Sequence, residues 1–227
     1  MALILNIDTS GSKASIALAM NGVPVAEASN SEQRDHASWI HQAINELLQL
    51  NQFTPSDLSA IAVTIGPGSY TGLRVGLATA KGFCYALNIP LITENTLRLM
   101  AVHAISHAQI GRESQIEFYI PMIDARRMEV FTAVYDNQLN EIVPPHAIIL
   151  DTTSFQHYLS AQALFFGNGA FKLRDIVTGS NATFQQLEAT AVDLSILSYD
   201  RFLHKSFSDI VYSDPLYVKD FYSPEKK

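Results

Sequence analysis

Two short segments carry the residue types best suited to handling an anion. Asp8-Thr9-Ser10-Gly11 closes an aliphatic run, and Gly66-Pro67-Gly68-Ser69-Tyr70-Thr71-Gly72 stands between another such run and a helical pattern. Small side chains and exposed backbone N–H donors in such turns can hold phosphate oxygens, and a helix N-terminus adds a favourable dipole. Asp8, Thr9, Ser10, Gly66 and Gly68 are therefore the candidate phosphate contacts. The glycine turn is not a P-loop, because no Lys-Ser/Thr pair follows and Pro67 removes a donor. It also misses the dinucleotide fingerprint: Glu94 ends the next strand as that fold wants, but the glycine spacing is off by one. The competing reading is a plain tight turn from strand to helix.

Other chemistries fare worse. His103 and His107 are four apart on a helical pattern and could share a face toward a metal, but no acid follows His103 and no third ligand lies near. His36 and His41 diverge around a helix. Cys84, between Phe83 and Tyr85, reads as a buried, inert thiol. Ser69 lacks the nucleophile elbow. The residue types assemble no catalytic constellation and no metal site.

The bulk composition narrows the class. The chain has 227 residues, 15 Lys+Arg against 22 Asp+Glu, a formal charge of −7, 48% apolar residues and one cysteine. A disordered chain would be more charged and less apolar. A lone cysteine fits a reducing compartment. No apolar run reaches the length of a membrane helix, and Met1-Ala2-Leu3-Ile4 shows no basic leader. A globular, cytoplasmic protein of one large or two small domains is expected. Net acidity argues against gripping nucleic acid alone, although a local basic patch can survive in an acidic protein.

The pattern predicts three antiparallel strands first: Ala2 to Ile7, Lys13 to Met20, and Val23 to Ala28 after the Asn21-Gly22 hairpin signal. A helix follows, with Ile40, Ala43, Ile44, Leu47 and Leu48 on one face and Asp35 as its N-cap. Ser59 to Ile65 is a strand, and Tyr70 to Leu87 a helix. Leu91 to Thr93 is a short strand, and Asn95 to His107 a third helix. Gly111 to Gln115 reads as a lobe boundary. Beyond it come strands at Ile116 to Ile123, Glu129 to Tyr135, Ala147 to Leu150 and Ala163 to Phe166, and a helix at Thr153 to Ser160. An irregular stretch runs to about Ala189. Leu194 to Lys205 is a last helix, and an extended aromatic and prolyl tail begins at Tyr212.

The two halves share an outline. Leu3 to Asp8 and Tyr119 to Asp124 both end in Ile-Asp, and each Asp is followed thirteen residues later by a turn asparagine, Asn21 or Asn137. Each half then shows a helix, a strand and a glycine stop, Gly66-Pro67-Gly68 or Gly167-Asn168-Gly169. Coincidence between two hairpins is the alternative. Duplication predicts an α/β protein of two ribonuclease-H-like lobes, the plan of actin, Hsp70 and sugar kinases, with the second lobe abbreviated. The lobes are placed at 1–110 and 111–227, with the terminal helix free to pack back on the first. In the second copy, Asp124-Ala125-Arg126-Arg127 suits a phosphate turn less well, because two bulky cations replace Ser and Gly.

Gly72, Gly76 and Ala80 fall at four-residue spacing beside Leu73 and Leu77. Two helix-weakening glycines on one face imply that another backbone comes very close. Trp39 sits at the edge of the first helix's apolar stripe and is either core or interface.

Ile4-Leu5-Asn6-Ile7-Asp8-Thr9-Ser10, Asp35-His36-Ala37, the segment Ala60 to Gly76 containing GPGSYTGLRVG, and Ile123-Asp124-Ala125-Arg126-Arg127-Met128-Glu129-Val130 together resemble the bacterial TsaB (YeaZ) family. The resemblance is strongest over residues 1–135. It implies a non-catalytic subunit of the machinery that makes N6-threonylcarbamoyladenosine at position 37 of tRNA. Its catalytic paralogue TsaD carries an HxxxH metal pair, and the matching positions here are Thr96 and Met100, poor ligands for such a site. The family's pairing surface is the first two helices, which makes Trp39, Ala43, Leu47, Gly72, Leu73, Gly76, Ala80 and Phe83 the expected interface. The implied partners are TsaD in a heterodimer, the ATPase TsaE, and a second copy in isolation, with little direct tRNA binding by the chain alone and no membrane. No tightly bound cofactor is implied, only weak ATP or ADP within the complex. The alternative is a stand-alone, kinase-like ATP-binding enzyme using Asp8, the glycine turn and Asp124. A metalloprotease lacks its ligands.

Overall fold

A computed structural model describes residues 1–31, 36–110, 116–178 and 182–219. The predicted N-cap Asp35 and the predicted boundary at 111–115 lie outside the described residues. The chain divides into two compact units: Met1–His103 with Glu188–Leu216, and Ala104–Leu187 with the segment from Tyr217.

The first unit is built on a five-stranded sheet of order β3-β2-β1-β4-β5, comprising β1 (Leu3–Asp8), β2 (Ala14–Met20), β3 (Val23–Asn30), β4 (Ala60–Gly66) and β5 (Leu91–Asn95). β1 to β3 are antiparallel; β4 and β5 run parallel to β1. Asn21 and Gly22 turn the β2–β3 hairpin at φ 50° and 81°, the conformation Asn-Gly supplies cheaply.

The alternation of side chains sorts the helices onto opposite faces of this sheet. Leu3, Leu5, Ile7, Ile16, Leu18, Ile61 and Val63 share a core with Ile40, Ile44, Leu47 and Leu48 of α1 (His36–Leu50) and Leu77, Ala80 and Cys84 of α2 (Tyr70–Leu87). Each such aliphatic side chain contributes about 1.5–3 kcal/mol when fully buried. The other face offers Ala17, Ala19, Ala60 and Ala62, all fully buried. These small residues let α6 (Ala191–Leu203) lie close. Asn6 points the same way: it accepts from the Ser198 hydroxyl at 2.6 Å and donates to Ser195 Oγ at 3.3 Å. Ser15 Oγ accepts the Ala191 N–H at 2.9 Å, satisfying one of the helix's open donors, and Thr190 with Asp193 forms a capping box. α3 (Thr96–Ile110) begins in this unit.

The second unit repeats the plan with β6 (Phe118–Asp124), β7 (Glu129–Asp136), β8 (Glu141–Ile149), β9 (Ala163–Phe166) and β10 (Thr183–Gln185). The order is β10-β9-β6-β7-β8, again with an antiparallel β6-β7-β8 meander and parallel β9 and β10. Gly66 and Gly167 end equivalent strands at φ 118° and 99°. The chain is thus two ribonuclease-H-like lobes. Abbreviation falls on the helices, α4 (Gln156–Leu159) and α5 (Ala170–Arg174), and on the length of β9 and β10, not on strand number.

The sequence reading departs from the structure mainly here. β8 begins at Glu141, six residues before the predicted strand, because Pro144 and Pro145 are tolerated on an edge strand. α4 is half the predicted helix. α5 and β10 lie in the stretch read as irregular, and both are too short for periodicity to register. β10 is held by aromatic packing: its Phe184 stacks on Phe165 at 5.2 Å between centroids, and Phe165 meets Phe155 edge-on at 5.6 Å.

Candidate functional site

The Asp8 turn and the glycine turn do meet, and they satisfy each other. Asp8 is 4% exposed. Its Oδ1 accepts from the Ser10 N–H at 3.0 Å, the Ser10 hydroxyl at 2.7 Å and the Thr64 hydroxyl at 2.7 Å. Burial pushes the Asp8 carboxyl above its ordinary range, against the pull of those bonds from Thr64 and Ser10. Thr9 donates to the Gly72 carbonyl at 2.7 Å, and the Ser69 N–H donates to the Ser10 carbonyl at 2.7 Å. A Cβ at Gly68 would strike that same carbonyl. Gly66 is buried and would strike the Leu216 carbonyl, whose residue donates its N–H to Ile65 O at 2.7 Å. Asp8, Thr9 and Ser10 are therefore bonded into one joint with β4 and α2, and Gly66 and Gly68 are closely packed beside it. The Gly66–Pro67 bond within it is cis.

Most of the residues expected at the interface pack inside the first unit, several of them at this joint. Ala43, Leu47, Gly72, Leu73, Gly76 and Ala80 are buried within the first unit. The close backbone approach predicted at the glycine stripe is made by the chain itself. A Cβ at Gly72 would collide with the Thr9 carbonyl, and one at Gly76 with Thr9 Oγ1 and the methyls of Val63 and Ile7. Trp39 and Phe83 are half-buried against the edge of the core.

What α2 presents outward is a second stripe, Ala78, Gly82 and Ala86, six residues on from the first and about 240° around the helix. With Val75, Thr79 and Phe83 it forms one wall of a groove of about 470 Å³, and Ala37 and His41 of α1 form the other. A Cβ at Gly82 would meet nothing within 4 Å. The groove is apolar, small-residue-lined and open, the form in which another helix can approach closely. The four-residue spacing of 78, 82 and 86 was available in the sequence. Only the sheet decides which of two such stripes faces inward.

The remaining candidates resolve into structural roles. His103 Nδ1 lies 3.0 Å from Asp193 Oδ1, tying α3 to the cap of α6. Ser69 caps α2, its hydroxyl accepting the Gly72 N–H at 3.3 Å. Cys84 is buried and its thiol pushed up to about 12 by burial. Glu94, 2% exposed, takes a forked pair of bonds from Arg201 at 2.8 and 3.2 Å. Thr96 is buried and Met100 half-buried on α3. Among the described residues, no group of three His, Cys, Asp or Glu could hold a metal. None of the described helices is long and apolar enough to cross a membrane.

Residues 25–211 match the family model described as TsaD: tRNA N6-adenosine threonylcarbamoyltransferase. The tRNA threonylcarbamoyladenosine biosynthesis protein TsaB of Bacillus subtilis (strain 168) is 34% identical over 150 residues, covering 65% of this chain and 62% of that protein. Its counterpart in Escherichia coli (strain K12) is 32% identical over 139 residues, covering 61% and 57%. The chain thus spans about three fifths of the length of these curated relatives. A Pseudomonas aeruginosa protein of known structure, described as similar to peptidase YEAZ, shares the fold at a TM-score of 0.81 and 23% identity, over 96% of this chain and 100% of that one.

Proposed function

The chain belongs to the TsaB (YeaZ) family, within the group that the TsaD model defines, and from that premise we propose that it is a non-catalytic subunit in the formation of N6-threonylcarbamoyladenosine at position 37 of tRNA. It pairs through the α1–α2 groove with a catalytic TsaD-type subunit, or with a second copy when that subunit is absent. The TsaE-type ATPase joins the pair. The chain works in the cytoplasm and carries no tightly bound cofactor of its own.

The observation that carries this reading is the open groove of Ala37, Ala78, Gly82 and Ala86. Burying it against a partner helix removes apolar surface from water at about 25 cal/mol per Å². The Asp8 joint supports a supporting role over a kinase-like one, since Asp8 is buried and its Oδ1 already accepts from Ser10 and Thr64.

The test is a reconstitution with the catalytic subunit, the ATPase and unmodified tRNA. Leaving the chain out should abolish or cripple modification, and the chain alone should leave tRNA unmodified. Gly82→Arg should block pairing in a chain whose melting temperature is not lowered, since the position is open and Arg is the better helix former. Full modification without the chain, or full pairing by the Gly82→Arg variant, would sink the reading.

A further inference from the structure

The turn between β6 and β7 places two arginines in a conformation their side chains disfavour. Arg126 and Arg127 sit at φ 71° and 49°, where bulky residues are outliers and Gly or Asn is the usual choice. The backbone there is held from several sides. Ala125 N–H donates to the Glu129 carbonyl and Glu129 N–H to the Arg126 carbonyl, both at 3.1 Å, and Leu150 N–H reaches the Met128 carbonyl at 2.6 Å. Arg126 N–H donates to the Asp124 carboxylate at 2.6 Å.

The carboxylates beside the turn already have cations. Lys172 Nζ pairs with Asp124, and Lys219 Nζ pairs with Glu129 at 2.6 Å. Arg126 acts on Asp124 only through space and through its backbone N–H. Among the described residues, neither guanidinium makes a hydrogen bond or ion pair, and both residues are exposed. With Asp124 and Glu129 already paired to lysines, Arg126 and Arg127 add two exposed positive charges at this turn, in a chain whose formal charge is −7. The backbone strain and the surplus charge coincide on the same two residues, and strain of this kind persists where a function uses it.

We infer that Arg126 and Arg127 contact the phosphate backbone of the tRNA. Paired guanidinium forks on a fixed turn match successive phosphates, and such contacts position a nucleic acid without reading its sequence. The inference rests on the tRNA-modification reading above and adds a contact made by this chain. A mononucleotide is the other source of phosphate, and the test separates the two.

The experiment titrates an unmodified tRNA transcript into the reconstituted pair of this chain with its catalytic subunit over a salt series. Wild type is compared with R126Q/R127Q and with R126N/R127G, whose residues relax the turn and protect the fold. Both variants should bind at least about threefold more weakly at low salt, with the log–log salt slope shallower by about two, one per phosphate contact. R126K/R127K should recover most of the slope. Pairing, read by ultracentrifugation, should not change. Equal affinity and slope in wild type and both variants would overturn the inference, as would a loss of ATP binding with tRNA binding intact. If the catalytic subunit is not retained, the pairing reading fails separately. The same titration on the chain alone then decides: weaker binding by the variants supports the contact, and no difference or no binding rejects it.

Discussion

The Thr9 hydroxyl donates to the Gly72 carbonyl at 2.7 Å, and the missing side chain of Gly72 is what leaves room for the Thr9 carbonyl. The opening turn of the chain and the first turn of α2 are thereby one joint. Residues with the look of a ligand site hold the fold together.

A methyl added at Gly72 should therefore act on stability. Gly72→Ala gains about 1 kcal/mol of helix propensity but forces a backbone carbonyl to move, and overpacking of this kind costs about 1–3 kcal/mol or more. The net expectation is a lower calorimetric melting temperature. Gly76, whose Cβ would meet Thr9, Val63 and Ile7, should behave alike. A bulky residue there probes folding and gives no clean test of pairing. Unchanged melting would show that the joint yields.

Gly82 should respond in the opposite sense. Its Cβ position is open, so Gly82→Ala adds helix propensity without a clash and should stabilise the chain by roughly 0.5–1 kcal/mol. Urea denaturation measures it, and a loss of stability would mean that something already fills the groove.

Glu94 and Arg201 form a pair with 2% and 34% of their side chains exposed. Arg201→Ala would strand a buried carboxylate. Breaking a fully buried pair costs 3–5 kcal/mol, and partial solvent screening of Arg201 reduces this to about 2–3 kcal/mol. Arg201→Lys should recover only part, because a point charge cannot reproduce the fork. Equal urea midpoints for wild type and Arg201→Ala would refute the assignment.

Asp8 should leave a signature in the pH dependence of stability. Its folded-state pKa is raised, chiefly by burial, so the folded chain holds this proton more tightly than the unfolded one. The carboxyl costs nothing below its unfolded value of 3.8, and the penalty grows as pH rises through the folded pKa. Asp8→Asn should therefore gain stability relative to wild type as pH rises from about 4 toward neutrality. Thermal melts across that range test it, and a difference that is flat or falls with pH would contradict it.

Cys84 should be inert in the folded protein. Its thiol is buried and pushed up to about 12, and the thiolate is the reactive form. Labelling by a disulfide reagent at pH 8 should track unfolding, and rapid labelling of native protein would show that Cys84 is accessible.

Much of the architecture is legible in local pattern. The Asn21-Gly22 hairpin, the run ending at Asp8 and the repeat at Asp124 identify the duplicated strands, because strand alternation and turn chemistry are local properties. Pro144 and Pro145 concealed the first two thirds of β8, since their tolerance depends on the strand being an edge. Phe184 concealed β10, since a three-residue strand is held by Phe165 and not by its own propensity.

The candidate sites show the same division more sharply. The sequence by itself determined that α2 carries small residues at four-residue spacing, that Asp8 closes a strand in a small polar turn, and that Arg126 and Arg127 follow the second Asp. Spacing and residue type require no neighbours to be read. Tertiary structure alone decided that Gly72 and Gly76 face Thr9 while Gly82 faces outward, that Asp8 spends its oxygen on Ser10 and Thr64, and that Lys172 and Lys219 neutralise the acids around the arginines. Each of these depends on which residues distant in the chain meet across a sheet or a turn, and that contact sets burial, hydrogen bonding and charge.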